Sequence, residues 1–599
     1  MRLRAALERM QAAQRHRGPD DQGVWVSETG QVGFAHNRLA ILDLSVAGRQ
    51  PMTTADGRFT ITFNGEIYNY RELRAELEAV GESFRTQTDT EVILAMYRRH
   101  GAACVRELAG MFAFAIWDAR EQTAFLARDP LGIKPLCLHR NVQGQLVFAS
   151  EMRALMASDL VERRVSARAM QGYLLYGSVP EPLSLIEGVE RVPAGHHVTW
   201  RAGEVTQRHY WEVAFLAEPM SDSAAVAQAR MALEESVARH FVSDVPVGIF
   251  LSGGLDSTTL LALAAREKTR ELRTFCISFE DAEYDEGALA ARSAAHFGAQ
   301  HADWRMTAED GRTLLRQFIG ACDHPSVDGF NTYCVAKHAH DRGMKVVLSG
   351  LGGDEMFAGY PTFDLVPRLV AGGQFAAWGG PLSRALGRML EGSGPSPRLR
   401  RVGAFLGGAP STAAAYWCAR GIFTPREVAA LVRHYTDVDA TGVAEDMHFV
   451  VPPQPTLADE ISWLELSRYM RNQLLRDSDV LSMAWGLELR VPFVDSRLLE
   501  SVGRIPARQR LVGGKQLMRA AVPELPAWVL EQPKRGFRFP FDRWMETEWS
   551  GVFEAVERRS PIRLQSWYRR WCVMALEAAL HKLGVKPVNL LLNEQSGLW

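Results

Sequence analysis

The sequence predicts two units: an α+β N-terminal layered sandwich, then an α/β unit built on a parallel sheet with a helical C-terminal part. Three observations carry this. Short β-rich runs dominate from residue 16 to about 155, with two helical segments among them; from about 226 apolar strands alternate with helices; and a Gly- and Ser-rich turn joins one of those strands to its helix. The expected boundaries are 1–200 for the first unit, 201–225 for a linker and 226–599 for the second.

In chain order, MRLRAALERMQAAQ reads as an amphipathic helix, with Leu3, Leu7 and Met10 at helical spacing. GVWVSE, VGFAHNRLAIL, FTITFNGEIY, FAFAIWD, AFLARD and LVFASE read as strands, and YRELRAELEAVG and TEVILAMYRRHG as helices closed by glycine. Residues 160–225 read as a looser connecting region. The helix AVAQARMALEESVARHF then leads into the strand VPVGIFLS, the helix TTLLALAAREK, the strand RTFCISF, the helix ARSAAHFGA and the strand MKVVLSG. Residues 365–455 are Gly-, Ala- and Arg-rich with weak helical signals, and the last stretch reads as mainly helical.

Composition narrows the function classes. Hydrophobic residues at 47% and charged residues at 23% are ordinary for a globular protein, and a formal charge of −2 with dispersed Lys and Arg argues against a nucleic-acid partner. No apolar run reaches the length of a membrane span, so no membrane partner is expected. The seven cysteines are scattered without a CxxC pair, which points to reduced thiols and a cytoplasmic setting.

LSGGLDS, Leu251 to Ser257, sits between an apolar strand and a helix. Gly253 and Gly254 permit close approach of a phosphate, the N–H groups at the helix start offer an anion cradle, and Ser252 and Ser257 add hydroxyls. Asp256 can hold Mg²⁺ on phosphate oxygens. Because this is not a GxxxxGK[ST] loop, ordinary γ-phosphate transfer is not expected. VVLSGLGGDEMFAGY, Val346 to Tyr360, follows a second apolar strand, so Ser349, Gly350 and Asp354 should emerge at the same carboxyl edge, and Asp256 and Asp354 could share the metal.

SGGxDS in this context resembles the ATP pyrophosphatases. With LLRDSDVLSMAWGLELRVPFVD and PKRGFRFP, the two loops resemble the asparagine synthetase family; HRGPDDQG, NRLAI, NGEIYN, TDTE and RDPLGIKPL resemble that family's glutaminase domain, of the Ntn-hydrolase-like type. The resemblance implies ATP-dependent amide formation: a carboxylate attacks the α-phosphorus of ATP, giving an acyl-adenylate and pyrophosphate, and ammonia or an amine displaces AMP. Aspartate is the implied acceptor, glutamine or ammonia the donor, ATP and Mg²⁺ the cofactors, and a homodimer the assembly. It further implies that the backbones of Leu251 and Ile277 meet adenine, that Tyr360 flanks the site, and that Lys534 is catalytic, stabilising charge at the α-phosphate. Arg490, Pro492 and Asp495 are expected to shape the acid-substrate pocket, with a structural salt-bridge network as the alternative.

Two departures stand out. Leu351 and Gly353 replace the Glu and Ser of the best-known members' second loop, and that Glu is implicated in handling the ammonia nucleophile. This leaves amidation of another carboxylate, or lactam and macrolactam closure, as alternatives to asparagine synthesis. In the family the initiator Met is removed to expose a nucleophilic Cys, whereas residue 2 here is Arg2 and the first cysteines, Cys104 and Cys137, sit in apolar core-like stretches. Asn64 and Gly65 nevertheless match the oxyanion hole, and Arg38, Glu66 and Asp89 the glutamine-gripping positions. The retained motifs and the abrupt helical start predict that the printed start lies downstream of the true one, and that the printed polypeptide uses free ammonia or an amine.

Overall fold

The computed structural model describes residues 2–266, 271–436, 438, 440, 449–533, 536 and 538–584. The first unit is built on strands β1 (Asp21–Val26), β2 (Gly33–Arg38), β3 (Met52–Thr53), β4 (Phe59–Ile67), β5 (Gly110–Asp118), β6 (Thr123–Arg128), β7 (Cys137–Arg140), β8 (Leu146–Ala149), β9 (Val189–Arg191), β10 (His196–Arg201) and β11 (Glu204–His209). Six of them form one antiparallel sheet in the order β11-β10-β6-β5-β4-β3, beside a β1-β2 hairpin and a β8-β7-β9 sheet.

Period-two alternation along β5 builds the layers. Phe112, Phe114 and Ile116 face the helices Tyr70–Ala79 and Asp89–His100, packing with Leu73, Leu77, Val92 and Met96. Ala113, Ala115 and Trp117 point to the opposite face, packing with Phe34 and Leu136. Each phenylalanine buried in this way contributes on the order of 2–3 kcal/mol. The expected N-terminal helix is present as Arg2–Ala13 and packs on the hairpin, with Leu7 and Met10 buried.

Two organisational expectations are corrected. β10 and β11 pair antiparallel from His196 to His209, so the first unit runs past residue 200 to the end of β11. Residues 160–192 are not a loose connector either. The helix Ala167–Tyr176 is buried at Met170, Tyr173, Leu174 and Leu175 and joins a core that includes Phe318, Trp417 and Trp571. With apolar residues on nearly every side it shows no amphipathic stripe, because it packs on both faces.

The second unit contains β12 (Val247–Phe250), β13 (Arg273–Ser278), β14 (Gln300–Arg305), β15 (Val346–Leu348) and β16 (Glu488–Arg490). They form a five-stranded sheet, order β14-β13-β12-β15-β16, with every neighbour parallel. The chain builds outward from β12 to β14 and then crosses to the other side, so the order reverses between β12 and β15. That reversal opens a crevice beyond their carboxyl ends. The weak stretch from 365 resolves into the helices Thr362–Ala377, Gly380–Ser393, Pro397–Gly407, Thr412–Arg420 and Pro425–Tyr435.

Buried charges join the two units. Arg17 pairs with Asp479 at 2.7 Å, Lys134 with Asp479 at 3.3 Å and Glu488 at 3.5 Å, and Arg490 with Glu66 at 3.0 Å and Glu488 at 2.9 Å. Arg490 also donates to the carbonyls of His240 and Val242. Removing one partner from such a set leaves an uncompensated buried charge. Arg490→Met is therefore expected to lower stability by about 3–5 kcal/mol in urea denaturation, whereas adding Glu66→Leu and Glu488→Leu recovers most of the loss.

Candidate active site

The crevice between β12 and β15 receives both loops singled out in the sequence. After β12 the backbone turns at Gly253, whose φ of +74° favours glycine, and a Cβ there would lie 2.8 Å from that of Leu289. Ser252 and Ser257 bring their hydroxyls to 3.1 Å, and Ser257 donates to the Gly254 carbonyl at 3.2 Å. Gly254 is the N-cap of the helix Leu255–Ala264 and supplies no side-chain acceptor, so the first-turn N–H groups remain available to an anion.

The second loop lies directly on the first. Asp256 and Asp354 converge on Lys515, whose ammonium is 2.6 and 2.5 Å from the two Asp256 oxygens and 2.5 Å from Asp354 Oδ1. Gly359 closes over this triad, and a methyl group there would overlap both Asp354 and Lys515. Burial alone would push the Lys515 ammonium down, but the two carboxylates outweigh it and hold it above its ordinary value. Two carboxylates already gathered around one cation, with oxygen donors only, also suit a Mg²⁺ ion shared with phosphate oxygens.

These groups open on a cavity of about 660 Å³. Leu251, Ser252, Gly254, Asp256, Ser257, Ile277, Ser349, Gly350, Asp354 and Tyr360 all line it, while Gly253 shapes the turn behind it. Lys534 lies outside the described residues, between Pro533 and Gly536, which do line the cavity. At the far end the wide, π-type helical stretch Glu465–Leu475 places Tyr469 and Leu474, five residues apart, on the wall. Tyr360 donates to Glu355 Oε1 at 2.9 Å, and Arg420 stacks 3.8 Å over Tyr469 and 4.3 Å over Tyr360 while pairing with Glu465. Burial first, then Asp354 and Glu465, push the Glu355 carboxyl up to about 8.

One expectation is corrected here. Arg490, Pro492 and Asp495 do not line this cavity. Arg490 is fully buried against Glu66 and Glu488, the Pro492 carbonyl accepts from Ser236, and Asp495 caps the helix Ser496–Val502 and pairs with Arg239. The alternative reading of the RVPF run, a structural salt-bridge network, is the one that Arg490 and Asp495 follow.

A second cavity of about 150 Å³, lined mainly by the first unit with Met483 and Glu488 from the second, gathers Arg38, Asn64, Gly65, Glu66 and Asp89. Arg38 donates to the carbonyls of Ser45 and Asp43, and Asp89 Oδ2 accepts from the Ile67 N–H at 2.9 Å. Glu66 turns its Oε2 to Arg490, linking this cavity to the second unit. Cys104 and Cys137 are buried and line neither cavity, and burial pushes the Cys104 thiol up to about 12.

The comparisons with known proteins agree with this geometry. A family model described as asparagine synthase matches residues 228–586, and one described as a glutamine amidotransferase domain matches residues 2–211. The chain belongs to the asparagine synthase family. It is 35% identical to a Mycobacterium tuberculosis protein provisionally named asparagine synthetase (glutamine-hydrolyzing), covering 91% of this chain and 86% of that one. It is 34% identical to asparagine synthetase (glutamine-hydrolyzing) 1 of Bacillus subtilis, covering 89% and 83%, and 28% identical to amidase chyE of Penicillium rubens, covering 96% and 94%. It is thus an ATP-dependent ligase of the amide-forming asparagine synthase type, carrying a glutamine amidotransferase domain.

Sequence reasoning missed Lys515, Tyr469, Glu355, Asp328 and Asn331, which also line the large cavity. For Lys515 the one local signal is the preceding Gly513–Gly514 pair, which lets the chain reach the left-handed backbone of Lys515, φ +58°. In the small cavity, burial raises the Asp89 carboxyl to about 7. The resemblance puts Arg38, Glu66 and Asp89 together at the glutamine's carboxylate and amino group; an acid suits the amino group, which only the ionised carboxylate attracts, so affinity should rise with pH. Calorimetric titration should show glutamine binding about tenfold more tightly at pH ~8 than at pH ~6, and an Asp89→Asn variant should lose that dependence.

Proposed function

We propose that this chain joins ammonia to a small carboxylic acid, with aspartate the acceptor carried over from the resemblance, through an acyl-adenylate that releases pyrophosphate and AMP. The single observation supporting it most is the convergence of Asp256 and Asp354 on Lys515 beside the Ser252–Ser257 cradle. A carboxylate lacks a leaving group, so the acceptor oxygen attacks the α-phosphorus and the α–β bond breaks. The first-turn N–H groups after Gly254 and the hydroxyls of Ser252 and Ser257 hold the departing pyrophosphate. Asp256 and Asp354 are the residues that would hold Mg²⁺, which when bound supplies charge neutralisation at the phosphates. Lys515, and Lys534 by the resemblance, stabilise charge as it develops at the α-phosphate. Leu251 and Ile277 offer backbone to adenine. In the second step nitrogen attacks the acyl carbon, AMP leaves with the bonding electrons, and the amide forms.

The small cavity with Arg38, Asn64, Gly65, Glu66 and Asp89 is the proposed glutamine-recognition site, with Asn64 and Gly65 as the oxyanion-stabilising pair. Leu351, which lines the large cavity where the best-known members carry Glu, favours a second reading in which the same adenylation serves a different carboxylate.

Exchange of labelled pyrophosphate into ATP, run with Mg²⁺ and a panel of carboxylic acids, separates these readings. Exchange supported by aspartate favours asparagine synthesis; exchange supported only by another acid moves the acceptor and keeps the chemistry. Asp256→Asn and Asp354→Asn should each reduce exchange by about 10²–10³-fold without loss of folding, and Lys515→Met, which leaves the two acids without their cation, should reduce it at least as far and lower stability as well. Turnover of ATP to ADP alone would sink the proposal.

A further inference from the structure

The helix that starts at the rim of the large cavity leads to a surface that the fold leaves uncovered. Residues 375–389 read FAAWGGPLSRALGRM, spanning the end of the helix Thr362–Ala377 and much of the helix Gly380–Ser393. Leu382, Leu386 and Met389 stand at i, i+4 and i+7, the spacing of one apolar stripe. A surface helix normally turns such a stripe to the core, but this one is reversed. Leu382 is 79% exposed, Met389 58% and Leu386 48%, and at the bend before them Trp378 is 88% and Phe375 75% exposed.

The reversal has a visible cause. The helix docks by its other side at Gly387, where a Cβ would lie 2.7 Å from the Gly407 nitrogen and 2.8 Å from the Gly403 oxygen. The helix Pro397–Gly407 therefore crosses too closely for a large side chain, and the leucines and the methionine are left on the solvent side. An apolar, Trp- and Phe-bearing face of this kind marks an interaction site.

Charge selects the occupant. Arg384 and Arg388 are exposed at i and i+4 on the same helix, and Arg368 and Arg398 are exposed on the helices before and after it. The exposed acid in residues 362–400 is Asp364, whereas Glu391 accepts from the Arg426 N–H. This is a cationic surface on a chain with a formal charge of −2. A second copy of the chain, related by a two-fold axis, would set arginine against arginine. Exposed Trp and Phe beside leucines, flanked by arginines, are instead the composition of a helix that lies in the headgroup region of an anionic bilayer.

We propose that the face formed by Phe375, Trp378, Leu382, Leu386 and Met389, with Arg384 and Arg388, docks this enzyme on an anionic lipid surface. This is peripheral attachment: among the described residues no helix is long and apolar enough to cross a membrane. It adds a partner that sequence reading did not expect. The helix Thr362–Ala377 begins two residues after Tyr360, so a single helix joins the wall of the large cavity to this face.

The test uses the full chain and sedimentation with phosphatidylcholine vesicles, with and without phosphatidylglycerol. Binding is expected to the anionic vesicles alone and to weaken with salt. The double variants Trp378→Ser/Leu382→Gln and Arg384→Glu/Arg388→Glu should each weaken it at least about tenfold while leaving ATP-dependent turnover unchanged. Equal binding to both vesicle types, or no loss in either variant, overturns the proposal. So does a chain that ignores vesicles but falls from dimer to monomer in light scattering when Trp378 and Leu382 are replaced, which would assign the face to a second copy.

Discussion

Two carboxylates cannot share a small, partly desolvated space unless a cation lies between them, and the second unit is arranged to satisfy that constraint. Asp256 comes from the turn after β12, Asp354 from the turn after β15, and Lys515 from a segment beyond β16. The parallel sheet brings the first two turns together because its strand order reverses between β12 and β15. The lysine then neutralises the pair and fixes its geometry. A shared Mg²⁺ would meet the same two acids, so the electrostatics that hold the resting site together also suit the metal proposed for it.

The same principle recurs at the junction of the two units. Arg17, Lys134 and Arg490 are each met by carboxylates from across the boundary, leaving few routes by which the units could slide without exposing an unpaired charge. Arg490 sits at the centre of this arrangement. Its guanidinium reaches Glu66 on the wall of the small cavity, while its carbonyl accepts the Ser349 N–H at the start of the second loop. One residue thus touches both candidate sites, and its contacts give the two cavities a defined mutual position.

The parts of the site that were legible in the sequence are local. Ser252, Gly254, Asp256 and Ser257 share one strand–helix junction, and a strand before it with a helix after it is enough to put its hydroxyls and N–H groups at the carboxyl edge of the sheet. Asp354 was legible because VVL is an unmistakable buried strand. The polar edge strand β14, QHADWR, and the three-residue β16, ELR, carry no alternation or apolar run, and they form because neighbouring strands offer hydrogen-bonding edges. The helix Ala167–Tyr176 read as connector because a segment buried on both faces has no stripe.

By itself the sequence determined the two-unit plan, the order of most elements and the Gly- and Ser-rich turn after β12, because each depends on neighbours in the chain or on a periodicity readable within one element, whereas the residues that gather in the small cavity were marked by the family resemblance. Only the tertiary structure decided that Lys515 stands between the paired aspartates, that Arg490 leaves the large cavity to join the units, and that the stripe at Leu382, Leu386 and Met389 faces outward. Those outcomes depend on which distant surfaces meet, on the balance of buried charge and on how closely two helices can cross at glycine, and none of these leaves a local signature.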